Sequence, residues 1–69
     1  MESIKLSDEY IKLGQALKAA GLVESGVEAK IVILNGEVKV NGLVETQRGK
    51  KLYDGDIVTF DRDEIRIRK

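Results

Sequence analysis

The chain is 69 residues long and carries 12 Lys and Arg against 12 Asp and Glu, a formal net charge of zero. It has no Cys and no His, which excludes disulfides, thiolate metal sites and imidazole-based catalysis. No apolar run approaches the roughly 18 residues needed to cross a bilayer, and the opening Met1-Glu2-Ser3-Ile4-Lys5 lacks the basic stretch and apolar core of a signal peptide.

The whole of 1–69 is therefore read as one mature domain, cytoplasmic in character. At this length burial is incomplete and stability modest. The charge is not evenly spread. Residues 1–29 hold three lysines and five acids, and residues 54–69 four bases and five acids. Residues 30–53 hold Lys30, Lys39, Arg48, Lys50 and Lys51 against Glu37 and Glu45. A basic middle third on a neutral chain can still steer a polyanion.

Ile4-Lys5-Leu6 alternates and predicts a short strand. Two starts for the first helix fit the pattern. Ser7-Asp8-Glu9 can cap a helix carrying Tyr10, Leu13, Leu17 and Ala20 on one side. Alternatively Tyr10-Ile11-Lys12 is extended and the helix begins near Leu13. Either helix stops at Gly21.

The second helix opens at Ser25, whose hydroxyl is placed to accept the Glu28 N–H while the Glu28 carboxylate reaches back to Ser25, a capping box. It ends at Asn35-Gly36. Val27, Ile31 and Leu34 form one stripe, and Ala29, Val32 and Ile33 spread over the rest. A helix apolar nearly all round is expected to be covered from more than one side. It is therefore placed between the first helix and the sheet.

Glu37-Val38-Lys39-Val40 alternates, with both valines inward and Lys39 outward. Asn41-Gly42 fits a type I′ hairpin turn, and Leu43-Val44-Glu45 is its return strand. Gln47 to Lys51 reads as a basic loop and Asp54-Gly55-Asp56 as a turn. Ile57–Phe60 and Ile65–Arg68 form a last hairpin around Asp61-Arg62-Asp63-Glu64. The fold class is α+β: two short helices packed on a small, mostly antiparallel sheet.

The catalytic inventory is poor. Ser3, Ser7 and Ser25 have no imidazole to activate them, and a Ser25–Lys30 pair conflicts with the capping role of Ser25. The acids Asp54, Asp56, Asp61, Asp63 and Glu64 do not follow Ca²⁺-loop spacing. Gly49-Lys50-Lys51 lacks the other elements of a nucleotide-binding loop. The best functional group is Arg48, Lys50 and Lys51, three cations in four residues around a glycine that lets backbone approach an anion. Lys30 stands at the edge of the second helix's stripe and Tyr53 beside the loop, where a ring can stack on a base.

The run from Ser25 to Gly42 resembles the RNA-binding domain family named after ribosomal small-subunit protein four. Ser25, Ala29, Gly36, Val38, Val40, Asn41 and Gly42 match its pattern. The resemblance is nearest to the family's short, stand-alone bacterial branch. It rests on Leu17-Lys18, on Ser25-Gly26-Val27-Glu28-Ala29-Lys30, and on Arg48-Gly49-Lys50-Lys51-Leu52-Tyr53-Asp54-Gly55-Asp56, and it covers roughly residues 11–60. Gly26 replaces the family's usual Arg, as in the short branch.

The resemblance implies a non-enzymatic RNA-binding module. Its RNA-binding residues would be Lys18, Ser25, Lys30, Asn41, Arg48, Lys50 and Lys51. The implied partner is structured RNA, ribosomal or transfer RNA or a ribosome, with no membrane, small-molecule substrate or cofactor, and a monomeric chain. The rival reading is a protein-interaction module using an apolar face or the open strand edge near Ile65–Arg68.

Overall fold

In chain order the elements are β1 (Glu2–Lys5), β2 (Ile11–Lys12), α1 (Leu13–Ala19), α2 (Gly26–Leu34), β3 (Val38–Val40), β4 (Leu43–Val44), β5 (Lys51–Leu52), β6 (Ile57–Phe60) and β7 (Asp63–Arg68). The computed structural model describes residues 2–69, and Met1 of the N-terminal stretch lies outside them. Five strands form one sheet in the order β1-β7-β6-β3-β4, and β2 pairs with β5 in a separate two-stranded ribbon. All pairings are antiparallel except β1 with β7. The α+β class expected from the sequence is the class observed.

The alternation of β3 does what its sequence dictates. Val38 and Val40 are buried and Lys39 is exposed. Asn41 and Gly42 take φ of 52° and 84°, the two positive values a type I′ turn requires. In the last hairpin Val58, Ile65 and Ile67 point inward, and Phe60 packs half-buried on the core. Its turn is tighter than expected, because β7 already starts at Asp63 and pairs it with Phe60.

The first helix starts at Leu13, the later of the two readings. Tyr10-Ile11-Lys12 is pulled into extended backbone because Ile11 and Lys12 pair with Leu52 and Lys51. Part of the expected basic loop is therefore strand. The expected strand at Ile4–Leu6 lies earlier, at Glu2–Lys5, and Leu6 continues it only through its N–H to the Arg68 carbonyl at 2.7 Å. Both helices end where expected, closed by Leu22 N–H to Leu17 O at 3.0 Å and Glu37 N–H to Val32 O at 3.1 Å.

The cap of α2 is half as expected. Ser25 Oγ accepts the Glu28 N–H at 3.1 Å. The Glu28 carboxylate, however, accepts from Glu24 N at 2.8 Å and not from Ser25.

The central placement of α2 is wrong. Ala29 and Ile33 are buried, and Val32 is half-buried. Val27, Ile31 and Leu34 are 70%, 53% and 60% exposed. The helix has two apolar faces, and α1 packs on one of them. The face carrying the small Ala29 packs inward, because it permits closer approach. Among the described residues no helix is long and apolar enough to cross a membrane.

Candidate nucleic-acid interface

A helix leaves its first N–H groups without intrahelical partners. In α1 two of them are met by the loop that precedes β5. Leu13 N–H donates to the Lys50 carbonyl at 2.8 Å, and Gly14 N–H to the Arg48 carbonyl at 3.1 Å. A turn closed by Lys50 N–H to Gln47 O at 3.1 Å shapes the same loop. The basic loop is thus docked on the start of α1.

Gly14 makes the docking possible. A Cβ on Gly14 would lie 2.8 Å from Arg48 Cγ, closer than carbon atoms tolerate. The Arg48 stem therefore crosses the helix where a side chain is missing. Replacing Gly14 by Ala should favour the helix by about 1 kcal/mol while displacing Arg48. We expect Gly14→Ala to loosen the docked loop, lowering the melting temperature because two helix-start hydrogen bonds worth about 1 kcal/mol each outweigh the helix gain, and weakening the binding of a polyanion several-fold. Fluorescence anisotropy alongside thermal melting checks this.

Between α1, the start of α2 and the loop lies an open cleft of about 450 Å³. Lys12, Gln15, Lys18, Gly26 and Arg48 line it, with no carboxylate among its described lining residues. Three cations therefore face one cleft in a chain of zero net charge. Gly26 opens α2 directly after the Ser25 cap, so unpartnered N–H groups of that helix start add partial positive charge nearby. Lys30 is exposed and stands one turn beyond Gly26, 40° round the helix by its period. It is not itself among the cleft's lining residues.

The other expected residues divide around the loop. Lys50 and Lys51 line a second hollow of about 330 Å³ with Asn41, Leu43 and Tyr53, and the acids Glu45 and Asp56 line it too. Lys51 Nζ sits 4.8 Å from the centroid of the Tyr10 ring. Arg48 lines the cleft, and Lys50 and Lys51 line the second hollow. Ser25 is engaged in capping through its acceptor lone pair.

Asn41 is held by the fold. Its Nδ2 donates to Asp56 Oδ1 at 3.0 Å, and its Oδ1 accepts from Ile57 N at 2.9 Å. The remaining Asp56 oxygen accepts from Tyr53 N at 2.8 Å, and Asp54 Oδ1 accepts from Lys69 N at 2.9 Å. These acids organise turns, as their positions suggested. Among the described residues no group of three or more His, Cys, Asp or Glu side chains is arranged to hold a metal ion.

Sequence reasoning missed Lys12, Gly14 and Gln15. The available signal was Gly14 itself. A glycine early in a helix costs stability, and a close approach by another segment is a common reason for it.

Known proteins fit this geometry. The S4 domain family model matches residues 4–68. The chain is 40% identical over 58 residues to YbcJ of Escherichia coli, covering 84% of this chain and 83% of that protein. It is 43% identical over 58 residues to RlbA of Bacillus subtilis, named a probable ribosome maturation protein, covering 84% and 82%. The solution structure of YbcJ, described as revealing an ALFAL motif involved in RNA-binding, superposes with a TM-score of 0.77. It has 36% sequence identity over 100% of this chain and 89% of that one. With its helix pair, mixed sheet and near full-length match to these proteins, the chain belongs to the S4 domain family.

Proposed function

We propose that the chain is a non-catalytic RNA-binding protein that grips the phosphates of structured RNA. The observation that carries this is the cleft in which Lys12, Lys18 and Arg48 meet without an opposing carboxylate, with Lys30 one helical turn beyond Gly26. A-form RNA hides its major-groove edges, so a small module reads it mainly by shape, phosphate and 2′-hydroxyl contacts. The names of the relatives support the reading, and RlbA favours ribosomal RNA or a ribosome precursor as the target. The reading includes a single-domain, monomeric and cytoplasmic protein.

Salt dependence tests it. With about four phosphates neutralised, log affinity for an RNA duplex should fall against log salt with a slope of roughly −3 to −4. Raising salt fourfold should then weaken binding on the order of 100-fold. A flat salt response would contradict the proposal. It would favour the second reading, a protein contact through the exposed Val27, Ile31 and Leu34 face of α2.

A further inference from the structure

The ribbon of β2 and β5 pairs Ile11 with Leu52 and Lys12 with Lys51. One step further along the same register, Tyr10 stands opposite Tyr53. Alternate residues of a strand face opposite ways. Ile11 and Leu52 turn inward, and Leu52 is fully buried. Tyr10, Lys12, Lys51 and Tyr53 share the outer face, and all four are exposed.

Two features of this face go beyond what the fold requires. Both tyrosines remain partly exposed, 37% for Tyr10 and 46% for Tyr53, with ring centroids 6.1 Å apart and planes inclined by 52°. Two lysines also stand directly opposite one another, a like-charge pairing that destabilises a ribbon. An anionic ligand with a flat apolar part accounts for both at once. Its charge relieves the lysine pair, and its ring covers a tyrosine.

The geometry favours Tyr53 as the platform. Lys51 Nζ already covers Tyr10 at 4.8 Å, a cation–π contact that holds the lysine over this face. Tyr53 opens instead on the hollow where Lys50 and Lys51 face the carboxylates of Glu45 and Asp56, beside Asn41 and Leu43; a base edge can meet these acids while the lysines take the phosphates. Its backbone is fixed by the N–H to Asp56 Oδ2, and Asp56 is in turn held by the Asn41 amide. The backbone that carries the ring is anchored before a ligand arrives.

We infer that the outer face of the β2–β5 ribbon is a site for an unpaired nucleobase of RNA, stacked on Tyr53, with its flanking phosphates held by Lys51 and Lys12. This rests on the RNA-binding reading and narrows its substrate class. Lys12 belongs both to the ribbon and to the phosphate cleft. A duplex seated in the cleft therefore leads its unpaired end onto the ribbon. The partner is a stem joined to a loop, bulge or single-stranded end.

The chain contains two tyrosines and no tryptophan, so its near-ultraviolet emission reports these two rings alone. The probes are a blunt RNA duplex of about 16 base pairs and the same stem closed by a loop of about eight adenines. The loop RNA should bind more tightly and quench the tyrosine emission. Tyr53→Ala should weaken loop binding roughly tenfold and duplex binding less than about twofold. Tyr53→Phe, which keeps the ring, should bind the loop RNA like the parent.

Equal losses for both RNAs, or no loss for either, would overturn the base platform and leave the phosphate reading standing. If the parent binds neither RNA in a salt-dependent way, the RNA reading fails and takes this site with it. The exposed position of Tyr53 lets the variants fold, and thermal melting verifies that they do.

Discussion

Changing Lys12, Lys18 and Arg48 together to Ala should nearly abolish the salt dependence of RNA binding. Each phosphate contact contributes about 0.9 to the slope of log affinity against log salt, so three lost contacts flatten it by roughly 2.5 to 3 units. At about 0.1 M salt this is a loss on the order of 10²- to 10³-fold in affinity. The loss should be similar for RNAs of different sequence, because phosphate contacts position a ligand and do not specify it. All three residues are exposed, so the melting temperature should change little. The corresponding change of Arg62, Arg66 and Arg68 removes the same charge from the β6–β7 turn and β7, away from the cleft. It should leave most of the slope intact. Equal effects of the two triple variants would mean that net charge, not the cleft, drives binding. Isothermal titration at several salt concentrations decides between them.

Asn41→Ala should be the most damaging single change at the surface. It removes the donor to Asp56 and the acceptor for Ile57 N–H, each worth about 1 kcal/mol net. It also places a Cβ-bearing residue without a compensating side-chain bond at φ 52°, which costs roughly another 1 kcal/mol. The total of about 2–3 kcal/mol should lower the melting temperature by roughly 10–20 °C in a chain of this size. Asn41→Gly retains the turn and loses only the hydrogen bonds, so it should sit between Ala and the parent. If calorimetry finds both variants as stable as the parent, the Asn41–Asp56 bridge does not hold the hairpin. The same bridge anchors the backbone of Tyr53, so Asn41→Ala should also loosen the RNA face. Asn41 was expected as an RNA contact; the structure shows its hydrogen bonds to Asp56 and Ile57.

What could be read from the sequence was local. Ser25 before an apolar run, Asn41-Gly42 between alternating segments, and Val38 and Val40 each carry their structural meaning within a few residues. The pairings that could not be read join distant segments. β1 and β7 pair Glu2 with Ile65, and β2 and β5 pair Ile11 with Leu52 through two residues each. Strands so short have almost no periodicity to detect. The pairing of β2 with β5 decided between the two starts open for α1, in favour of Leu13.

The same limit explains the error at α2. Periodicity finds a buried face by contrast with a polar one, and this helix offers apolar residues on both sides. Ala29 and Ile33 went inward and Val27, Ile31 and Leu34 stayed outside, a choice made by close packing against α1. The basic residues followed suit. Arg48, Lys50 and Lys51 are a cluster in sequence, but docking on α1 sends Arg48 to the cleft with Lys12 and Lys18, and leaves Lys50 and Lys51 lining the second hollow. No local rule links Lys12 to Arg48, because a carbonyl–amide contact between loop and helix start brings them together.

The most direct measurement is a residue-by-residue map of the RNA contact on the labelled protein. Backbone amide shifts should be followed while a blunt RNA duplex of about 16 base pairs is added. The largest changes should fall on Lys12 to Lys18, Gly26 to Lys30 and Gln47 to Gly49, and should diminish as salt is raised. Changes centred instead on β1 and β7, with the cleft residues unmoved, would contradict the assignment of this cleft as the RNA-binding face.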